Sequence, residues 1–377
     1  MSATDLYLLH ANAVPLTADG RVLHLELLSG EVASNIVTVG SEGRGEILAS
    51  LLDGTTMHTT AGTPKDDDNN NINDHDNNTK IKSSSSTTTT RRSKRGFVTH
   101  TGTYNGVPVS IVLINMGYPN MDFFVREVRA VTTGPLRIVR LGSCAGLRPE
   151  LPVGSVAVAS EGSVMIRQNP DAWEGTATRG EAQGEPYLFH GVAPADEELS
   201  EALLKELKRS LDGEAGGSDG GGGTAVVGCL NASTDSFYSS QGRLDPSFED
   251  RNSDILSSLL ERHPSAGSFE METFQLLHLA RLCRKSKVQA SAAAIVVREA
   301  ESPHRNRQDL TDRARSGGGR LASRHVLRRR LRDATGGVTH FHAFWRLYAC
   351  RILLAPRGFC IGSPCAFFSP LVEYRLA

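Results

Sequence analysis

Short apolar runs recur along this chain, most of them followed by a stretch whose apolar residues return at helical spacing. Residues 35–40 (NIVTVG) precede Ile47, Leu48, Leu51 and Leu52, and residues 107–115 precede an amphipathic helix predicted at 121–131. Further runs at 137–141, 154–159, 226–231 and 288–297 are interleaved with helical patterns at 194–211, 250–262 and 271–284. A short continuous apolar run is what a strand buried on both faces needs, and helices packed on those faces supply the burial. Asn105-Gly106, two residues that tolerate positive φ, separates 97–104 from 107–115 and predicts a hairpin there. Together these features predict an α/β chain, a three-layer αβα sandwich around a mixed, largely parallel central sheet. Ligands of such sheets sit beyond the carboxyl ends of the strands.

Composition narrows the function. A formal charge of −1 over 377 residues offers no chain-wide basic field for nucleic acid, and no apolar run approaches the roughly 20 residues that span a bilayer. The first 20 residues lack the pattern of a signal peptide, and the six cysteines (Cys144, Cys229, Cys283, Cys350, Cys360, Cys365) are too irregularly spaced for a disulfide framework or a zinc site. A soluble, cytoplasmic protein with reduced thiols is expected, without a membrane or nucleic-acid partner and without a metal.

The charge is unevenly placed. Residues 298–377 hold 15 Arg, no Lys and 6 acidic residues, a net +9. Such a tail could be an Arg-rich nucleic-acid arm or a solvated extension, but the absence of lysine over its whole length favours translated intron or out-of-frame sequence. Residues 54–94, containing DDDNNNINDHDNN and SSSSTTTT, hold too little apolar surface to offset the entropy of ordering and read as a disordered surface loop. Residues 213–224 (GEAGGSDGGGGT) read as a flexible connector. One domain over 1–297, interrupted twice, is therefore expected, followed by the atypical tail.

Chemistry is sought at the strand ends. Residues 35–40 run into Gly40-Ser41-Glu42-Gly43-Arg44, and residues 137–141, which carry Arg140, run into Gly142-Ser143-Cys144-Ala145-Gly146. Glycines that admit close backbone approach beside an arginine suit an anion, although such a stretch alone is more often a plain turn than a phosphate cradle. A third stretch, Phe237-Tyr238-Ser239-Ser240-Gln241-Gly242-Arg243, sets an amide and a guanidinium two residues apart behind an aromatic. The fourth, Glu270-Met271-Glu272, places two carboxylates at a strand-to-helix junction, where Glu270 is as readily a backbone cap as a ligand contact. Cys144 has no His and Asp arrangement to activate it and reads as a small buried thiol.

In order and separation, these four stretches resemble the uridine phosphorylases of the nucleoside phosphorylase-I family over about residues 20–297. FYSSQGR is the most specific element, because the Gln and Arg pair marks the uracil-binding branch. The resemblance implies phosphate binding by Gly40, Arg44, Arg140 and Ser143, joined by Arg95 from a neighbouring subunit. Ribose would meet His24, also from the neighbour and reaching the 5′-hydroxyl, with Met271 and Glu272, and uracil would meet Phe237, Gln241 and Arg243. Arg140, Gln241 and Arg243 would carry the catalytic stabilisation, and Arg298 matches a family arginine near the uracil pocket. No cofactor is implied, inorganic phosphate being a co-substrate, and a homodimer or hexamer with shared sites is expected.

The reaction so implied is phosphorolysis of uridine to uracil and α-D-ribose 1-phosphate. The chain departs from the family at GSEGR, where members carry GDPxR, and after Val297, where members continue into a covering helix. A purine phosphorylase, a nucleosidase or an inactive relative are the alternatives. Nucleosidases use water, so the arginines Arg44, Arg95 and Arg140 count against that one.

Overall fold

The computed structural model describes residues 13–54, 78–82, 87–174, 184–212 and 225–300. The connector expected at 213–224 and the tail beyond residue 300 lie outside the described residues, as does most of the 54–94 stretch.

Strand β1 (Asn35–Val39) leads into helix α1 (Glu42–Ala49). After β2 (Asn78–Lys82) and β3 (Thr87–Arg92) comes the hairpin β4 (Val98–Tyr104) and β5 (Val107–Leu113), turning at Asn105 and Gly106, both at positive φ as their identities require. Helix α2 (Tyr118–Val131) and β6 (Leu136–Gly146) follow, then β7 (Val156–Val158), β8 (Ser163–Gln168) and β9 (Tyr187–Phe189). The described chain continues with α3 (Glu197–Asp212), β10 (Val226–Gly228), β11 (Leu230–Thr234), α4 (Ile255–Arg262), β12 (Ala266–Glu270), α5 (Thr273–Leu282) and β13 (Val288–Glu299).

The strands form one mixed sheet in the order β2-β3-β4-β5-β1-β6-β12-β11-β8-β9, with β13 joined to β6 and β7, and β10 to β7. Parallel pairing holds the centre, where β1 lies between β5 and β6 and β13 runs along β6. Side-chain alternation then feeds two cores, as it must in a strand covered on both faces. Val37, Val139 and Leu141 pack with α1 and α3, while Ile36 and Ile138 face the opposite way into Phe124 and Val128 of α2 and Leu276 of α5. This is the expected three-layer sandwich.

Strand β6 makes the crevice. Its residues Arg137 to Leu141 register with Asn35 to Val39 of β1, but Ala145 and Gly146 pair instead with Phe269 and Ser268 of β12, antiparallel. Between these two partnerships Gly142, Ser143 and Cys144 lack a neighbour on that edge, and the carboxyl ends of β1 and β12 diverge around the gap.

The elements also correct several expectations. Residues 87–92 fall inside the polar stretch read as a disordered loop, yet they form β3, because β-branched threonines fit a pleated surface and the ladder to β4 supplies their hydrogen bonds. Thr88 is buried there and Thr90 Oγ1 lies 2.9 Å from His100 Nδ1. The run at 226–231 divides at Cys229 into β10, on β7, and β11, between β8 and β12. Helix α4 starts at Ile255 instead of 250, because Arg251 has φ 47° and Asn252 is engaged elsewhere. Strand β13 extends through Arg298 to Glu299, two residues past the expected domain end, with a bulge between Val296 and Arg298.

Candidate active site

A cavity of about 150 Å³ opens in the crevice and is lined by Gly40, Arg44, Arg140, Ser143, Phe237, Gln241, Arg243, Met271 and Glu272, among others. Nine residues singled out in the sequence are thus brought to one place. Gly40 gives a close approach: a Cβ there would stand 3.1 Å from the Asn115 carbonyl oxygen and 3.4 Å from Arg44 Nη2. At Gly142 a Cβ would displace the Arg140 guanidinium, which folds back over the strand two residues along the same face.

Arg44 Nε donates to Ser41 Oγ at 2.7 Å. Its pKa is pushed down to about 10, first by burial and then by the nearby charge of Arg140, against the pull of Glu272. Two guanidinium groups that repel one another in a buried corner are an arrangement that an anion relieves.

Arg140 pairs with Glu272 through Nη2 and lies 3.4 Å from Glu270 Oε2 through Nε, all three side chains being buried. Glu270 is further held by Ser233 Oγ, by Asn231 Nδ2 at 2.8 Å, and by the backbone amides of Glu272 and Thr273 at 3.0 Å. It therefore caps the amino terminus of α5, while also lining the cavity. Burial works against its charge, but Arg140 and these donors prevail and its pKa falls below the usual glutamate value. Glu272 has fewer donors, Arg140 and the Gly117 amide at 2.5 Å. Burial, reinforced by the charge of Glu270, outweighs Arg140 there and lifts its pKa.

On the far side, Gln241 Nε2 donates to Thr234 Oγ1 at 3.0 Å and its Oε1 accepts from Arg243 Nη1 at 2.8 Å. Because an arginine only donates, the amide orientation is fixed, with one lone pair of Oε1 remaining. Arg243 also donates to the Phe237 carbonyl and lies over the Phe237 ring, 3.4 Å from its centroid. Burial, aided by the charge of Arg298, brings its pKa to about 10. A second cavity of about 330 Å³ shares Gln241, Arg243, Phe269 and Arg298 with the first. The bulge in β13 brings Arg298 to this shared wall.

His24 and Arg95 line neither cavity. Arg95 is exposed on the turn between β3 and β4, and Lys94 beside it donates its amide to Glu26 Oε1 at 3.1 Å, so the segments bearing His24 and Arg95 meet on one edge. Asn252 was not anticipated: buried, it donates to the carbonyls of Ser239 and Arg243 at 3.0 and 2.8 Å and holds the Phe237–Arg243 loop closed. Asp235 likewise braces that loop, accepting from Ser240 Oγ and the Gln168 amide. Burial pushes the Cys144 thiol up, as suits an inert core residue. Among the described residues no helix is long and apolar enough to cross a membrane.

The crevice at the carboxyl ends of the strands thus gathers two neighbouring arginines, a carboxylate, and an amide bonded to a third arginine that lies on an aromatic ring. Residues 75–325 match the model of the phosphorylase superfamily, and the chain belongs to that family. The match continues past the start of the Arg-rich tail.

Among curated relatives, the chain is 30% identical to a uridine phosphorylase of Thermococcus kodakarensis over 191 residues, 50% of this chain and 58% of that protein. It is 33% identical to a DeoD-type purine nucleoside phosphorylase of Exiguobacterium sibiricum over 75 residues, 20% of this chain and 32% of that protein. The chain thus spans little more than half the length of the first and about a third of the second. A solved structure from the oomycete Phytophthora capsici, described as one of two diverse uridine phosphorylases, is 36% identical with a TM-score of 0.67, covering 92% of this chain and 99% of that one. The Trypanosoma brucei nucleoside phosphorylase shares the fold at 18% identity and a TM-score of 0.52, over 75% of this chain and 90% of its own.

Proposed function

We propose that this nucleoside phosphorylase acts on uridine, converting it with inorganic phosphate to uracil and α-D-ribose 1-phosphate. The observation that carries the reading is the Gln241–Arg243 pair, set against Phe237 and opening on the same cavity as Arg44, Arg140 and Glu272. Gly40, Arg44, Arg140 and Ser143 hold phosphate. Met271 lies against the sugar and Glu272, the acceptor, takes its hydroxyls, while phosphate attacks C1′ as the glycosidic bond breaks. Binding separates Arg140 from Glu272, each taking a substrate group of the opposite kind.

Charge moves into the leaving base, where Arg243 meets O4 and the open lone pair of Gln241 Oε1 meets N3-H. The protein supplies no covalent nucleophile, so its contribution is position and electrostatic stabilisation. His24 and Arg95 act in a neighbouring subunit's site, which makes the active form a homo-oligomer. Uridine phosphorylases among the relatives, one of them covered over 99% of its length, support the substrate assignment.

Arg243→Ala tests it. Losing a donor to the developing anion should lower kcat/KM for uridine by about 10²-fold or more and narrow the gap between uridine and cytidine, whose amine faces donors in the intact site. An unchanged uridine to cytidine ratio in steady-state assays would remove Arg243 from base recognition.

A further inference from the structure

His24 is carried on a tight turn of its own subunit, and the turn is built around a buried carboxylate. The Val22 amide donates to the Leu27 carbonyl at 3.1 Å and the Glu26 amide to the Val22 carbonyl at 3.0 Å, with Val22, Leu25 and Leu27 buried beneath. Under the turn lies Glu127 of α2, only 3% exposed. Its two oxygens each lie 3.0 Å from the donating His24 amide, Oε2 accepts from the Leu25 amide at 2.8 Å, and Oε1 lies 2.5 Å from His24 Nδ1. The imidazole lies flat on Phe123 of the same helix, with centroids 3.8 Å apart and planes 8° apart.

Burying a carboxylate is costly unless its lone pairs are met, and a neutral acceptor would satisfy two backbone amides at lower cost. A carboxylate differs in that it only accepts. In the contact between Nδ1 and Oε1, Nδ1 is then the donor. Among the described residues, the hydrogen bonds of His24 leave Nε2 without a protein partner, and its side chain remains 18% exposed.

We infer that Glu127 is a positioning residue for nucleoside recognition: with Phe123 as a stacking floor, it locks His24 as the Nδ1-H tautomer and presents the Nε2 lone pair to the 5′-hydroxyl of the nucleoside. The inference rests on the uridine phosphorylase reading and on His24 as its ribose contact. A brace for the turn alone would need only the backbone contacts.

Glu127→Gln separates the two roles. The glutamine carbonyl still accepts the amides of the turn, but its NH2 group donates to Nδ1 and reverses the tautomer. In ¹⁵N–¹H spectra of the full-length histidine-labelled protein, His24, identified by its loss in His24→Ala, should be protonated on Nδ1 in the wild type and on Nε2 in Glu127→Gln.

The kinetic probe is 5′-deoxy-5′-fluorouridine, whose fluorine resembles a hydroxyl in size and cannot donate. Wild-type preference for uridine over this analogue should shrink about tenfold in Glu127→Gln, as a lone pair facing fluorine becomes an N–H. Wild-type His24 protonated on Nε2 overturns the inference whatever the variant does, as does a folded Glu127→Gln with unchanged preference. If His24→Ala keeps the preference, His24 is not the 5′ contact and the inference falls with it. If wild-type protein releases no uracil from uridine and phosphate, the proposed function falls instead, and the tautomer spectrum still decides whether Glu127 fixes the ring.

Discussion

Arg140 is buried between two carboxylates on the wall of the cavity, and its effects on stability and on catalysis are therefore linked. Removing its charge leaves Glu270 and Glu272 without their shared cation, the situation that costs about 3 to 5 kcal/mol when one partner of a buried ion pair is deleted. Arg140→Ala should lose that much in urea unfolding, and adding Glu272→Gln should return a large part of it, because one of the two stranded charges is gone. Equal stabilities for the single and double variants would mean that the carboxylates do not share Arg140. In the sequence, Arg140 and Glu272 each pointed to a substrate group, but their mutual pairing joins residues 132 positions apart and no local pattern encodes it. Asn252 was invisible for a different reason: a lone asparagine carries no motif, and its role exists only where the carbonyls of Ser239 and Arg243, on the preceding loop, converge on it.

The packing of α1 on the edge of the sheet makes a separate prediction about acid. His100 of β4 is buried, with Nδ1 against Thr90 of β3 and Nε2 facing Gly45 of α1. Its pKa falls from 6.5 to about 4, chiefly through burial and then through the charge of Arg92, against Glu42. Between those values the unfolded chain takes up a proton that the folded one refuses, so stability should fall as the pH drops from 6.5 towards 4. The full extent is about 3 kcal/mol.

His100→Gln, which keeps a group able to bond Thr90, should flatten the denaturant midpoint across that window. An unchanged acid slope would contradict the burial of a neutral imidazole. Elements whose signal is local were legible here, such as the Asn105-Gly106 hairpin and the amphipathic α2. Of strand β12 (AGSFE) only the junction with the following helix was, since five residues of mixed polarity buried throughout show neither alternation nor an apolar run. Strand β3 was hidden by its composition, because threonine reads as loop in a polar tract and as strand only once β4 offers a ladder.

For the whole molecule, the sheet order explains why the site lies where it does: β6 leaves β1 and turns to β12, and every motif read at a strand end faces the gap this creates, with His24 and Arg95 on a separate edge. The sandwich and the gathering of the motifs were readable because strand ends in this class of sheet converge by topology; the bracing of the loop and the buried carboxylates were not, because they depend on side-chain directions across layers. The most direct measurement is uracil release by the purified full-length chain from uridine, with and without inorganic phosphate, beside hypoxanthine release from inosine. Uridine should be cleaved only when phosphate is present, with ribose 1-phosphate formed in equal amount, and inosine should be a poor substrate. Release of uracil that is independent of phosphate, or faster cleavage of inosine than of uridine, would contradict the assignment of this site to uridine phosphorolysis.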